Sequence, residues 1–336
     1  MGKRIGNQTL AMTTPVPVAG FAAVAGKKEG QGPLTFDYVA PDATFGEKTW
    51  EKAESKMQRD ALDRAMAKAG VSEKELELLC AGDLINQCIA SAFGTRGREV
   101  SFLGLYGACS TMAEGLGLAA CMIDGGFASC TAAVTSSHFC SAERQYRFPL
   151  EYGGQRTPTA QWTVTGAGAA VLKANFPHAP CITHVTFGQI VDFGIRDANN
   201  MGAAMAPAAH QTLTALFADT GTEPADYDLI LTGDLAAVGK NILIDLFASD
   251  GVTLAGRYDD CGCMIFDGAA QDTHAGGSGC GCGASVLCCH VLNGMRQGQW
   301  KRVIFAGTGA LMSPVSSQQG ESIPSVCHAV VLEYTG

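Results

Sequence analysis

Cys109 sits in the run Leu105-Tyr-Gly-Ala-Cys-Ser-Thr-Met, directly after an apolar stretch and among small residues. A strand that turns sharply into a helix at a cysteine is the layout of a nucleophile elbow. Small neighbours admit a substrate, while unpaired backbone N–H groups and the helix dipole lower the thiol's pKa and draw anions. The expectation is a polarised thiol lining a site. Attack on a substrate would also need a base or an orienting donor. His138 is the best placed histidine, because it ends the strand predicted over Ser129–Ser137, whose carboxyl end should adjoin Cys109. His274 and His328 are weaker candidates, and His178 and His290 read as structural or exposed.

Positive charge for an anionic ligand is sought in the segment that follows. Ser141–Pro149 carries Arg144, Gln145 and Arg147 with Tyr146 and Phe148. Guanidinium forks match carboxylates two-pronged, and aromatic rings cover planar ligands. A structural Arg–Glu loop or a dimer contact would use the same residues. Arg196, in Gly194–Asn200, is a further candidate that also suits a surface turn. Metal sites are not expected: Cys261 with Cys263 and Cys280 with Cys282 are spaced too closely for a zinc knuckle, and no His–Cys set completes four ligands. The run Gly276–Gly283 lacks the Gly-Lys-Ser/Thr of a phosphate loop. Its glycines point instead to close backbone approach.

The elements that must position these groups follow from composition and period. With 336 residues, 47% hydrophobic and 16% charged, the chain can bury a dense α/β core. A net charge of −9 argues against non-specific binding to nucleic acid or anionic lipid. Fourteen cysteines without a secretory signal suggest a reducing compartment, and the apolar stretch Leu10–Ala25 is broken by Thr13, Thr14, Pro15 and Pro17. Helical periodicity runs from Thr49 to Ala69, with Trp50, Ala53, Met57, Ala61, Leu62 and Ala65 on one face. Strands are predicted at Leu78–Ala81, after Val100, and at Ser129–Val134. A second copy appears about 150 residues on: Gly70–Leu84 aligns without gaps to Gly221–Leu235, each ending in Gly-Asp-Leu, and the order of elements repeats beyond it. Alternating strands and helices imply parallel sheet covered by helices. The expected organisation is a half over 1–177 carrying Cys109 and a half over 178–336, meeting near Pro177–Pro180.

Several motifs together resemble one family. They are Tyr106-Gly-Ala-Cys-Ser-Thr, Ala133-Val-Thr-Ser-Ser-His, Ala142-Glu-Arg-Gln-Tyr-Arg-Phe-Pro, Met201-Gly-Ala-Ala-Met-Ala-Pro, Leu231-Thr-Gly-Asp-Leu, Ala275-Gly-Gly-Ser-Gly-Cys and Thr308-Gly-Ala-Leu. The chain resembles the stage V sporulation AD family of the thiolase-like superfamily, over nearly its whole length. That resemblance implies an α/β fold, the thiolase-like five-layer αβαβα sandwich built from two pseudo-symmetric halves, often dimeric. It also implies lost catalytic groups, since Cys280 stands where thiolases carry a histidine and Phe305 where they carry a second cysteine. The function it implies is non-catalytic binding of dipicolinic acid, free or as its calcium chelate, for movement into or out of the developing spore. The chain would act on the cytoplasmic side of the spore inner membrane or at its periphery, beside the membrane subunits of the SpoVA system, with no other cofactor. The expected ligand set is Cys109, Ser110, His138, Arg144, Gln145, Arg147, Arg196, Ser278, Cys280 and Thr308. The rival readings are an acyltransferase with Cys109 as nucleophile, and a scaffold with no ligand.

Overall fold

The computed structural model describes residues 2–146, 156–254 and 256–336. Ten strands form its frame: β1 (Thr9–Ala25), β2 (Leu78–Gly82), β3 (Ser101–Leu105), β4 (Cys130–Ser137), β5 (Gly166–Lys173), β6 (Cys181–Thr186), β7 (Leu229–Thr232), β8 (Tyr258–Asp260), β9 (Arg302–Ala310) and β10 (Ser325–Glu333). The first five lie in the order β3-β2-β4-β5-β1 and the second five in the order β8-β7-β9-β10-β6. Adding five to each number in the first set gives the second. In both, the strands at the β3 or β8 end run parallel and the last two pairings are antiparallel.

Helices fill three layers around these sheets. The principal helices are α1 (Trp50–Ala69), α2 (Ile89–Thr95), α3 (Thr111–Asp124), α4 (Phe139–Tyr146), α5 (Met201–Thr220), α6 (Ala236–Ser249) and α7 (Cys280–Val286), the last continuing through a π turn, Leu287–Val291, to Leu292–Arg296. α1 packs on β1, β5 and α2 outside the first sheet, and α5 with α6 packs outside the second. α3 lies between the sheets, touching β2 and β4 on one side and β9 and β10 on the other, with α7 beside it. Leu116 and Ala120 of α3 join Val286 and Leu287 in the buried middle core, whereas Met57 and Leu62 belong to one outer core and Leu213 and Phe247 to the other. This is the αβαβα sandwich. The periodic face read from 49–69 is the face that α1 buries, and the helix is bounded by a Thr49 side chain accepting from the Lys52 N–H and by Gly70 at φ 63.

The stretch Leu10–Ala25 is one long strand that the two sheets share. Its first part pairs with β6 and its second with β5, so the sheets form a single twelve-stranded network that includes two short flanking strands. Pro15 and Pro17 lie where the pairing changes partner, which is where a residue with no N–H costs the ladder least. Among the described residues no helix is long and apolar enough to cross a membrane.

α7 reaches its place because β5 carries small residues beneath it. A Cβ on Gly168 would stand 2.2 Å from the Ala284 carbonyl oxygen and 2.4 Å from its carbon. No rotamer can relieve a clash with backbone. Gly168→Ala should therefore lower stability by about 3 kcal/mol in urea unfolding; an unchanged midpoint would mean that α7 is not seated on β5 there.

Candidate functional site

β3 ends at Leu105, and the chain turns through a 3-10 segment, Ala108–Ser110, before α3 begins at Thr111. Cys109 is thus in the tight turn ahead of the helix rather than its first residue. Ala108 takes φ 51, a left-handed conformation that costs a residue with a Cβ about 1–2 kcal/mol. The turn is held by the Ser110 hydroxyl, which donates to the Gly107 carbonyl at 2.7 Å, and by the Thr111 hydroxyl, which donates to the Ala108 carbonyl at 2.6 Å. Together they aim the Cys109 side chain between the two sheets.

Facing it is a buried carboxyl group that sequence reasoning did not assign to the site. Asp234 follows β7, and its Oδ1 accepts the Thr308 hydroxyl at 2.8 Å while its Oδ2 accepts the Gly279 N–H at 2.8 Å. Gly279 sits at φ 99, open only to glycine at low cost, which turns its N–H onto the carboxylate. The Cys109 thiol lies near enough for each group to shift the other's titration. Desolvation pushes Asp234 up to about 7, against the pull of these hydrogen bonds. The same burial, followed by the charge of Asp234, holds the Cys109 thiol well above its ordinary pKa. The expected polarisation toward thiolate is overturned: removal from water and a neighbouring carboxylate outweigh the turn's N–H groups.

Cys109, Ser278 and Thr163 form the polar edge of a cleft of about 460 Å³, counting its mouth. Leu84, Tyr146, Met201 and Met312 supply apolar walls, and Glu143 lies on the α4 side, its Oε1 accepting the Thr163 hydroxyl at 3.1 Å. The Tyr146 hydroxyl donates to the Leu84 carbonyl at 2.6 Å, which fixes that ring across the entrance.

Of the ligand set expected from sequence, Cys109 and Ser278 line this cleft, while Thr308 lies buried behind it with its hydroxyl spent on Asp234. Cys280 is close behind, fully buried with Cys109, Leu84 and Ala142, its Sγ donating to the Ser136 carbonyl at 2.9 Å. Ser110 is spent on its own turn, since its N–H as well as its hydroxyl bonds Gly107. The Gly281 N–H is likewise taken, by the Ser137 hydroxyl at 3.1 Å. His138 does not adjoin Cys109. Its Nε2 lies 2.7 Å from the Ala43 carbonyl oxygen, its Nδ1 accepts the Cys140 N–H at 3.1 Å, and its ring faces a different cavity.

Residues 139–146 form helix α4 rather than a loop, and its period explains the arginine: Ala142, Glu143 and Tyr146 face the cleft, which turns Arg144 outward to pair with Glu51 beside the Trp50 ring. Gln145 stands at the mouth, donating to the Leu84 carbonyl at 3.2 Å and accepting the Asn86 N–H at 3.0 Å. Arg196 is exposed on the segment between β6 and α5 and does not line the cleft. Arg147 lies outside the described residues. His328 accepts the Gly188 N–H, and His274 lies 3.7 Å from Asp272. Among the described residues the cleft is lined by no histidine, lysine or arginine, and no three His, Cys, Asp or Glu side chains converge as a metal site.

The signal for Asp234 was present in the repeat, as the partner of Asp83 in the aligned Gly-Asp-Leu turns. Asp83 is consumed structurally, accepting the Ile85 N–H at 2.9 Å and the Ser91 N–H and hydroxyl at 2.8 and 2.6 Å. In the second copy that task passes to Asp260, which accepts the Leu235, Ala236 and Gly262 N–H groups and the Thr232 hydroxyl. Asp234 is thereby released to face the thiol.

A family model described as stage V sporulation protein AD matches residues 6–333. The stage V sporulation protein AD of Bacillus subtilis (strain 168) is 43% identical over 336 residues, covering 99% of each chain. The chain belongs to the stage V sporulation protein AD family. Solved structures of enzymes share only its fold. OleA from Xanthomonas campestris, crystallised with cerulenin, superposes with a TM-score of 0.62 at 14% identity over 96% of this chain and 98% of its own. The 3-oxoacyl-(acyl carrier protein) synthase III of Xanthomonas oryzae gives 0.59 at 14% identity, over 96% and 100%. The fold is thus thiolase-like, in a member of a sporulation family. Phe305, which the resemblance sets at a thiolase catalytic position, is buried in the middle core.

Proposed function

We propose that this chain is a non-catalytic receptacle that binds dipicolinic acid, free or as its calcium chelate, for movement into or out of the developing spore beside the membrane subunits of the same system. The observation that carries this reading is the Cys109–Asp234 pair. Burial and the neighbouring carboxylate oppose thiolate formation, and among the described residues no imidazole lines the cleft to take a proton from the thiol. Membership of a sporulation family supplies the biological setting. Apolar walls with a hydroxyl and thiol edge suit a flat ring carrying polar substituents. A cleft with carboxyl groups and no lining cation among the described residues suits the charge-balanced chelate better than the free dianion.

Calorimetry with dipicolinate, with and without calcium, tests the reading. Ala310→Phe, which fills the cleft, should weaken binding at least about tenfold, a loss of about 1.4 kcal/mol. Arg144→Ala should leave binding unchanged. Equal affinity in Ala310→Phe would remove this cleft from consideration. Incubation with acyl-coenzyme A should leave the mass of the chain unaltered; a thioester on Cys109 would establish the acyltransferase reading instead.

A further inference from the structure

A second cavity, of about 770 Å³ counting open space, lies on the other side of α4 from the Cys109 cleft. The division follows from local geometry. Ala142, Glu143 and Tyr146 line the cleft, whereas Phe139 and Cys140 line the second cavity; on the short strand Trp162–Thr163, Thr163 faces the cleft and Trp162 the cavity.

The wall of this cavity is aromatic and its rim cationic. Phe139 and Trp162 stack with centroids 4.1 Å apart and planes 17° from parallel, and both rings are partly exposed. The Lys28 Nζ stands 4.0 Å from the Trp162 centroid, and the Arg156 guanidinium 4.9 Å from Trp162 and 5.9 Å from Phe139. Lys27, exposed, adds a third cation. Lys28 is oriented by its loop: its Nζ donates to the Gln271 carbonyl, and the Gln271 amide donates to the Lys28 carbonyl, each at 2.6 Å. The acidic groups facing it are Glu29, Asp42 and Asp272. Glu29 is buried, accepts the Thr165 N–H at 2.9 Å and is pushed up to about 7 by desolvation, so it carries only part of a charge at neutral pH. Asp42 is engaged with the Thr44 N–H and hydroxyl at 2.8 and 2.7 Å. Burial lowers the Lys28 pKa, the charges of Glu29 and Asp272 oppose that shift, and Arg156 adds a smaller repulsion that a bound anion would offset.

We propose that the Lys28–Trp162–Phe139 cavity is a second binding site, for a small planar aromatic carboxylate, separate from the Cys109 cleft. The carboxylate would meet the Lys28 ammonium and the Arg156 guanidinium, and the ring would lie against the exposed part of the Phe139–Trp162 pair. This site goes beyond the function proposed above and does not depend on it. It supplies the cations that the first cleft's described lining lacks.

Dipicolinate and benzoate serve as probes, with tryptophan emission excited at 295 nm as the readout. Saturable quenching is expected in the intact chain, lost in Trp162→Phe, and weakened at least about tenfold in Lys28→Met, whose thioether keeps the packing over Trp162 without the charge. Quenching should persist in Ala310→Phe, which blocks only the Cys109 cleft. Melting temperatures of the unliganded variants identify any that fail to fold, and Lys28→Gln is the alternative if Lys28→Met does. Quenching that survives Lys28→Met and Lys28→Gln but vanishes in Ala310→Phe would overturn the proposal and assign the ligand to the first cleft, as would the absence of quenching in the intact chain. Loss of one of two calorimetric binding events in Ala310→Phe, with quenching retained, would support both sites.

Discussion

Asp234→Asn should make Cys109 react about tenfold or more faster with a small thiol reagent at pH 7.5, because one unit of thiol pKa is a factor of ten in the thiolate fraction. The direction follows from the site. Asp234 raises the Cys109 pKa through its negative charge, and asparagine removes the charge while keeping the shape. Desolvation remains, so the thiol should stay above its ordinary value yet titrate lower than in the parent. Peptide mapping after brief treatment with a methanethiolating reagent, over a range of pH, reads the change at Cys109 alone. The substitution carries a structural cost. The Thr308 hydroxyl and the Gly279 N–H both donate to the carboxylate, and one of them would meet an amide NH2, for about 1–3 kcal/mol. Experiments therefore belong well below the unfolding midpoint. Equal labelling of parent and variant would mean that Asp234 does not govern the thiol and that desolvation alone sets its reactivity.

Thermal stability should fall as pH rises from 5.5 to 8.5, which is opposite to a protein whose carboxylates are stabilised by ion pairs. Burial pushes Asp260 up to about 6 and Glu29 and Asp234 up to about 7. Glu54 and Asp83, a coupled pair inside the first half, are also raised, by desolvation and, for Glu54, by the charge of Asp83. A carboxyl whose folded pKa exceeds its unfolded value binds protons that the unfolded chain has already released. Its stabilisation is present below the unfolded pKa, near 4, and is lost as pH rises through the folded one. A decrease in the midpoint on the order of 5 °C is expected across that window. Glu54→Gln imitates the protonated acid toward the Ser136 and Ser141 hydroxyls that donate to it. It should raise the midpoint at pH 8.5 and flatten the slope. A variant with the same slope as the parent would show that this pair stays ionised in the folded chain.

The periodic face of α1, the strand–turn–helix at Cys109 and the paired Gly-Asp-Leu turns were all legible in the residues, because each is a local pattern that packing then confirmed. The strand order shows how deep the repeat runs. The site was less legible. His138 and Arg144 were the plausible partners for Cys109 by residue type, yet a helix over Phe139–Tyr146 turns Arg144 outward, and the Ala43 carbonyl holds the His138 ring on the far side. Asp234 escaped notice because nothing in its own segment separates it from Asp83. The difference lies in Asp260, twenty-six positions away in the chain, which takes over the capping of the turn.

By itself the sequence determined the alternation of strands and helices, the duplication, the small-residue turn at Cys109 and the family, since these reside in short-range spacing and residue type. Only the tertiary structure decided the protonation of the thiol, the identity of its partner and the division into two cavities. Those depend on which groups are drawn out of water together. Desolvation and the pairing of distant strands are properties of the packed layers, and a pattern along the chain does not contain them.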